Sequence, residues 1–144
     1  PSDVVSLYHL GEAYLFVGNR EEALKAAESA VQINPKNPES WRHLAQIYDF
    51  FEEYESSAKC WRKSLELSFS KDPEVEKIIR KIFGISTEQY GSGDYIMLAQ
   101  ALMNGGKFGD ALNVAYEGVR RTDGEKPLLT ELIKQIRSEM GVSK

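Results

Sequence analysis

The sequence predicts an all-α fold, a superhelix built from antiparallel helix pairs. Apolar residues recur at the three- and four-residue spacing that marks one face of a helix. The pattern Leu10, Gly11, Tyr14 returns 34 residues later as Leu44, Ala45, Tyr48. Short stretches of glycine, asparagine and proline separate the apolar segments. A period of this length is typical of stacked helical units.

The first predicted repeat spans residues 4–37 and holds two helices. The first helix is predicted over residues 3–17 and ends at Gly18-Asn19, and the second covers residues 21–33. Small residues at the seam would let the two helices approach closely. The predicted core positions are Val4, Leu7, Leu10, Gly11, Tyr14, Ala23, Leu24, Ala27, Ala30 and Val31.

The second predicted repeat spans residues 38–71. Asn37 is a favourable N-cap residue and Pro38 suits the first helical position. A tight turn at Glu52-Glu53 leads into a fourth helix over residues 54–68. The predicted core positions are Trp41, Leu44, Ala45, Tyr48, Ala58, Cys60, Trp61 and Leu65.

An irregular segment over residues 72–93 interrupts the period. Asp72-Pro73 predicts a helix start, and Gly84 its end. The apolar stripe of this short helix is Val75, Ile78, Ile79, Ile82 and Phe83. Residues 86–93 hold two glycines and two serines and are predicted to form a loop. A lone helix predicts a bend or a change of packing; the alternative is a long unit whose second helix has shrunk to a turn at 86–90.

A third repeat is predicted over residues 92–125, followed by a capping helix over 126–140. Asp94 is the predicted N-cap, Asn104-Gly105-Gly106 ends that helix, and its partner covers 108–121. A terminal helix with a polar outer side is what a solenoid needs. The predicted core positions are Tyr95, Leu98, Ala99, Leu102, Ala111, Leu112, Ala115, Val119, Leu129, Leu132, Ile133, Ile136 and Met140.

These repeats resemble the tetratricopeptide repeat (TPR), whose 34-residue helix–turn–helix carries a W-x2-L-G-x2-Y…A-x3-F…P pattern. The first copy has Leu7-x2-Leu10-Gly11-x2-Tyr14, Ala23-x3-Ala27 and Pro35. The second has Trp41-x2-Leu44-Ala45-x2-Tyr48 and Ser57-x3-Trp61, and the late copy has Tyr95-x2-Leu98-Ala99-x2-Leu102 and Ala111-x3-Ala115. The pattern departs at Leu7 and Ala27, and Phe69 and Asp123 stand at the proline positions. The resemblance implies a right-handed helical solenoid whose concave groove holds a peptide.

The resemblance also implies which residues face that groove, and they lie off the predicted core stripes. In the first copy they are Tyr8, Glu12, Leu15 and Phe16; in the second Arg42, Gln46, Asp49 and Phe50; in the late copy Ile96, Gln100, Met103 and Asn104. The expected ligand has apolar anchors for Phe16 and Phe50 and an acid for Arg42. The alternative is that the helix at 75–83 or the C-terminal helix fills the groove.

One class of ligand is not expected. Relatives that clamp the C-terminal carboxylates of heat-shock chaperones do so with a lysine and an asparagine on the first helix. In this chain those positions hold Tyr8 and Glu12, and the second-repeat asparagine is replaced by His43. A glutamate at such a site would repel the carboxylate.

Composition argues against several other functions. The 144 residues carry a net charge of −4, whereas a nucleic-acid binder would show a basic stripe. No apolar run reaches the roughly 18 residues that cross a bilayer, so membrane insertion is not expected, nor is a signal peptide recognised. A single cysteine favours a reducing, cytoplasmic compartment. The chain opens at Pro1, so we expect upstream sequence to have been removed.

No catalytic motif is recognised, and neither a cofactor nor a metal is expected. Gly105-Gly106-Lys107 lacks the earlier glycine and the following Ser/Thr of a phosphate-binding loop. His9 and His43 lie on neighbouring helices, roughly 8–10 Å apart, too far for one zinc ion. Cys60 is interpreted as a structural thiol.

Two functions from different classes remain. The first is a non-catalytic protein–protein interaction module, a scaffold or adaptor that binds a peptide or helix of another protein. The second is a structural domain that self-associates, for instance as a homodimer, within a larger protein. The sequence does not name the partner.

Overall fold

A computed structural model describes residues 3–68, 74, 78, 81–82, 88–121 and 126–142, and these form seven long helices without a strand. The helices are α1 (Val4–Phe16), α2 (Arg20–Ile33), α3 (Pro38–Phe50), α4 (Tyr54–Ser68), α5 (Glu88–Asn104), α6 (Phe108–Arg121) and α7 (Lys126–Glu139). The all-α prediction is confirmed. The chain divides into two compact units, Pro1–Leu67 and Ser68–Lys144.

In the first unit, capping side chains define where helices begin. Asp3 Oδ1 accepts a hydrogen bond from the Val5 backbone N–H at 3.1 Å at the start of α1. Asn19 does the same for α2, and Asn37 for α3, where it accepts from Glu39 N–H at 3.0 Å. Each cap satisfies a backbone donor that has no partner within the helix. The predicted cap at Asn37 with Pro38 in the first turn is confirmed.

The core of this unit follows the predicted stripes with one clear exception. α1 packs against α2 and α3, and α2 packs against α3. Leu10 was expected in the core but is 41% exposed, because α1 turns that side away from both neighbours. Leu44, at the same repeat position, is buried. The buried apolar residues are Leu7, Ala23, Leu24, Ala26, Ala27, Ala30, Leu44, Ala45, Ile47, Ala58, Cys60, Trp61 and Leu65.

Polar links join the turns and the helices of the first unit. Glu52, at the predicted tight turn, has a positive φ of 59°. The Arg20 guanidinium donates two hydrogen bonds of 2.6 Å to the Glu53 carboxylate, so the start of α2 is tied to the turn after α3. Trp41 Nε1 donates to the Pro35 carbonyl at 2.8 Å, which accounts for its partial exposure beside the chain that enters α3.

In the second unit α5, α6 and α7 pack together, each against the other two. Gly118 lies where α6 closely approaches its neighbours. A Cβ built there would stand 3.0 Å from Leu129 Cδ1 and 3.0 Å from the Cβ and Cγ of Tyr95. The buried apolar residues are Tyr95, Leu98, Ala99, Ala101, Leu102, Ala111, Val114, Ala115, Leu129, Leu132, Ile133 and Ile136.

Three predictions for the second unit were wrong. Residues 88–93 are helical rather than loop, and Asp94 is a buried residue inside α5 rather than its N-cap. The side chains around Tyr95 are buried, and adding further turns to a helix that packing already holds costs little. Met140 was expected in the core, but it follows α7 and is exposed.

The predicted helix over residues 75–83 falls mostly outside the described residues, as do the cap at Asp72-Pro73 and the stop at Gly84. The two members of its stripe that are described, Ile78 and Ile82, are helical and exposed. The repeat boundaries given above remain predictions.

Candidate functional site

In the first unit, the predicted inner-face residues begin with a stacked pair of rings. The Tyr8 ring of α1 lies on the His43 imidazole of α3, with centroids 4.0 Å apart and planes inclined by 13°. Tyr8 Oη lies 2.9 Å from Ser40 Oγ, within hydrogen-bonding distance. Burial lowers the pKa of His43, against the opposing effect of Glu39 and Glu12. Tyr8 therefore joins two helices and exposes only part of its ring.

A small depression lies beside this stacked pair and brings several predicted residues together. Its volume is about 20 Å³, enough for one water molecule. Its walls come from α1, α2 and α3: Leu7, Tyr8, Gly11, Glu12, Leu15, Ala27, His43, Gln46 and Ile47. Glu12 and Gln46 are exposed. The depression could receive a small group of a ligand but no large side chain.

Two phenylalanines at the same repeat position are exposed to solvent. Phe16, the last residue of α1, is 94% exposed, and Phe50, the last residue of α3, is 59% exposed. Phe50 contacts the Phe51 ring edge-on, with centroids 5.1 Å apart. Burial in the unit therefore does not explain why an aromatic residue occupies either position. Apolar side chains grouped on one exposed surface are typical of binding sites.

Two predicted ligand-binding side chains have partners within the unit. Arg42 forms an ion pair with Glu39 one turn earlier in α3, and its side chain is only 16% exposed. The Asp49 carboxylate accepts a hydrogen bond from Trp61 Nε1 at 2.8 Å and another from Ser57 Oγ, both on α4. Burial raises the pKa of Asp49, while these two hydrogen bonds act to lower it. Asp49 thus links α3 to α4.

The late-copy residues all lie on α5 in the second unit. Ile96 and Met103 are half-buried, and Gln100 and Asn104 are exposed. The same unit contains a cleft between α6 and α7, of about 830 Å³, that the sequence did not predict. Its residues are Tyr116, Val119, Thr130, Ile133, Lys134, Arg137, Ser138, Gly141 and Val142. Tyr116 was the available signal, since this aromatic residue lies off the Ala111–Ala115 stripe.

The described residues show no arrangement that suggests chemistry at a metal or thiol. They contain no group of three or more His, Cys, Asp or Glu side chains that could hold a metal ion. Cys60 is buried, and burial raises the pKa of its thiol to about 12, so it remains protonated at neutral pH. No helix in the described part of the chain combines the length and apolarity of a membrane crossing.

Comparison with family models gives a match over part of the first unit. Residues 4–47 match the family model described as tetratricopeptide repeat. A search of curated proteins finds no match.

Several solved structures are similar to the chain. A crystal structure of MamA is similar with a TM-score of 0.70 and 14% identity, over 99% of this chain and 71% of that one. The N-terminal domain of stress-induced protein-1 (STI-1) from C. elegans is similar with a TM-score of 0.69 and 14% identity, over 93% of this chain and 94% of that one. The first TPR of Spaghetti (RPAP3), bound to HSP90 peptide SRMEEVD, is similar with a TM-score of 0.65 and 14% identity. The similarity covers 96% of this chain and 95% of that one. At these identities the similarity concerns the fold.

Proposed function

We propose that this chain is a tetratricopeptide repeat domain and that it binds a peptide or helical segment of another protein on the inner face of its first unit. The match of residues 4–47 to that repeat and the similarity of the fold to solved structures support this proposal. We define this inner face by Tyr8, Glu12, Phe16, Gln46 and Phe50. The observation that supports the proposal is the exposure of Phe16 and Phe50 at equivalent ends of α1 and α3. The role is non-catalytic, and the domain serves as an adaptor or scaffold.

The chemistry of the inner face defines the ligand. Phe16 and Phe50 would receive two apolar side chains, and the depression beside Tyr8 admits only a small group. Glu12 and Gln46 would accept hydrogen bonds from a lysine or an amide. An acidic group of the ligand is proposed to bind Arg42, where it would share the guanidinium with Glu39. Asp49 is proposed to contribute less to the ligand, because its carboxylate is bonded to α4.

The residues predicted on α5 are proposed as a second, separate contact surface. Ile96 and Met103 offer partly exposed apolar atoms, and Gln100 an exposed amide. They belong to the second unit and are proposed on the same grounds as the first set, their positions in the repeat pattern.

Truncation of Phe50 tests the proposal. Peptides selected on the wild-type domain from a displayed random library should bind Phe50→Ala at least about tenfold more weakly, since aromatic anchors contribute most to such contacts. Gln46→Ala should weaken the same peptides by a smaller factor. Fluorescence anisotropy with labelled peptides measures both affinities.

The matched control is Ile33→Ala, which removes an exposed apolar residue at the end of α2, away from the inner face. It should leave the affinities unchanged. Peptides that bind Phe50→Ala and Gln46→Ala as tightly as the wild type would place the binding surface elsewhere.

A second prediction concerns the peptide SRMEEVD, which the first TPR of Spaghetti (RPAP3) holds in its structure. This peptide is acidic, and the positions at which relatives carry a lysine and an asparagine hold Tyr8 and Glu12 in this chain. Like charges placed together across an interface cost several kcal/mol. We therefore expect affinity at least about a hundredfold below that of the RPAP3 domain, measured side by side by calorimetry. Equal affinities would contradict the proposed exclusion.

A further inference from the structure

The composition of α1 is unusual for an exposed helix. Between Val4 and Phe16 the only residue with a formal charge at neutral pH is Glu12, and most of the others are apolar. A helix that is apolar on every side is normally buried. However, α1 packs only its Leu7–Gly11 side against its neighbours in the unit and leaves the opposite side open to solvent. We therefore expect another protein surface to cover the open side of α1.

Four exposed residues form a stripe along the open side, which we call the α1 stripe: Val5, His9, Glu12 and Phe16. They follow one another at intervals of four, three and four residues. This is the spacing at which one helix meets another in a coiled coil, with apolar residues at both ends and a polar pair at the centre. Val5 is 56% exposed, and the His9 and Glu12 side chains are 74% and 54% exposed.

We propose that the α1 stripe binds the α1 stripe of a second copy of this chain, with the two helices antiparallel. In that register Val5 meets Phe16 of the partner subunit, and His9 meets Glu12 of the partner subunit. Two-fold symmetry repeats both contacts, as an isologous interface requires. The reversed stripe thus offers an apolar group to each apolar group and a carboxylate to each imidazole.

The charges explain why a second copy in this orientation fits. A parallel copy would place Glu12 on the partner's Glu12, which juxtaposes like charges. Within one chain His9 Nδ1 already lies 3.6 Å from Glu12 Oε2. The antiparallel copy instead adds a second polar partner on the other side of each of these two groups. Central polar contacts of this kind set register between helices.

Charge exchange at the centre of the stripe tests the pairing. In a light-scattering dilution series, the wild type should move from one chain mass to two as its concentration rises. His9→Glu places two carboxylates together across the interface, and Glu12→Lys removes the carboxylate that His9 meets, so each should raise the dissociation constant at least about tenfold. The double variant His9→Glu/Glu12→Lys restores opposite charges and should regain the wild-type value. Gln32→Glu on α2, with a matched charge change off the stripe, should behave as the wild type.

Cysteine cross-linking tests the direction of the helices. A mixture of Val5→Cys chains and Phe16→Cys chains should form a mixed disulfide under mild oxidation, whereas each variant alone should not. Cys60 is buried and therefore does not compete with the introduced cysteines for disulfide formation. Circular dichroism and thermal unfolding of every variant establish that it is folded.

The outcomes separate this inference from the proposed peptide binding, on which it does not rest. A wild-type chain that remains monomeric at all concentrations overturns it, as does self-linking of Val5→Cys or a double variant no better than the single ones. Gln46 and Phe50 lie outside the α1 stripe, so loss of peptide binding in their variants leaves dimerisation unchanged. Phe16 and Glu12 belong to both surfaces, so peptide and second copy should compete.

Discussion

Replacing Trp61 with alanine is expected to lower the free energy of unfolding of the first unit by about 3–5 kcal/mol. Trp61 lies on α4 and its side chain is only 2% exposed, so truncation leaves a large cavity and removes many packing contacts. It also removes the donor that satisfies Asp49 Oδ2, leaving a half-buried carboxylate with one hydrogen bond fewer. A unit of this length has a stability of roughly 3–10 kcal/mol, so the variant should be close to unfolding.

Urea unfolding followed by the fluorescence of Trp41, which also lies in the first unit, measures the effect. Trp61→Phe separates its two causes, because it keeps an aromatic ring but deletes the N–H donor. We expect a loss of about 1–3 kcal/mol for that variant. A Trp61→Ala chain as stable as the wild type would mean that α4 does not pack in the first unit as described.

Replacing Gly118 with valine is expected to destabilise the second unit by about 3 kcal/mol. The first carbon of any side chain there would stand 3.0 Å from three atoms of Leu129 and Tyr95. Tyr95 cannot yield easily, because two of those atoms are its Cβ and Cγ, next to the backbone, and its ring is buried. The helices must separate or the residues must leave their preferred rotamers.

Gly109→Val is the matched control, since it makes the same change in the same helix where nothing lies within 4 Å of an added Cβ. Its effect should stay within about 0.5 kcal/mol. Hydrogen exchange read by mass spectrometry reports the two units separately. Gly118→Val should reduce protection in α5, α6 and α7, and equal protection in both glycine variants would contradict the close approach.

Local patterns explain the parts of the fold that the sequence predicted. Asn37-Pro38 marks a helix start because cap and first-turn preferences concern only neighbouring residues. Trp61 and Cys60 were assigned to the core from the apolar spacing within α4, and both are buried. By contrast, the exposure of Leu10 depends on which helix lies beside α1, and a repeat pattern carries no such information.

The surroundings of the candidate-site side chains were less predictable, because they depend on tertiary partners. Asp49 accepts a hydrogen bond from Trp61, twelve residues away on another helix. The Arg42–Glu39 pair could have been anticipated from its three-residue spacing on one helix. The start of α5 was missed because glycine and serine over residues 86–93 are typical of loops, and packing around Tyr95 outweighed that preference.

The stacking of Tyr8 on His43 limits how this domain can be re-engineered. A designer who randomises Tyr8 to change ligand preference also alters the contact that sets the spacing of two neighbouring helices. Gln46 and Phe50 carry a smaller share of such packing and tolerate exchange more freely. Libraries built on those two positions should therefore yield more folded members than libraries that include the tyrosine.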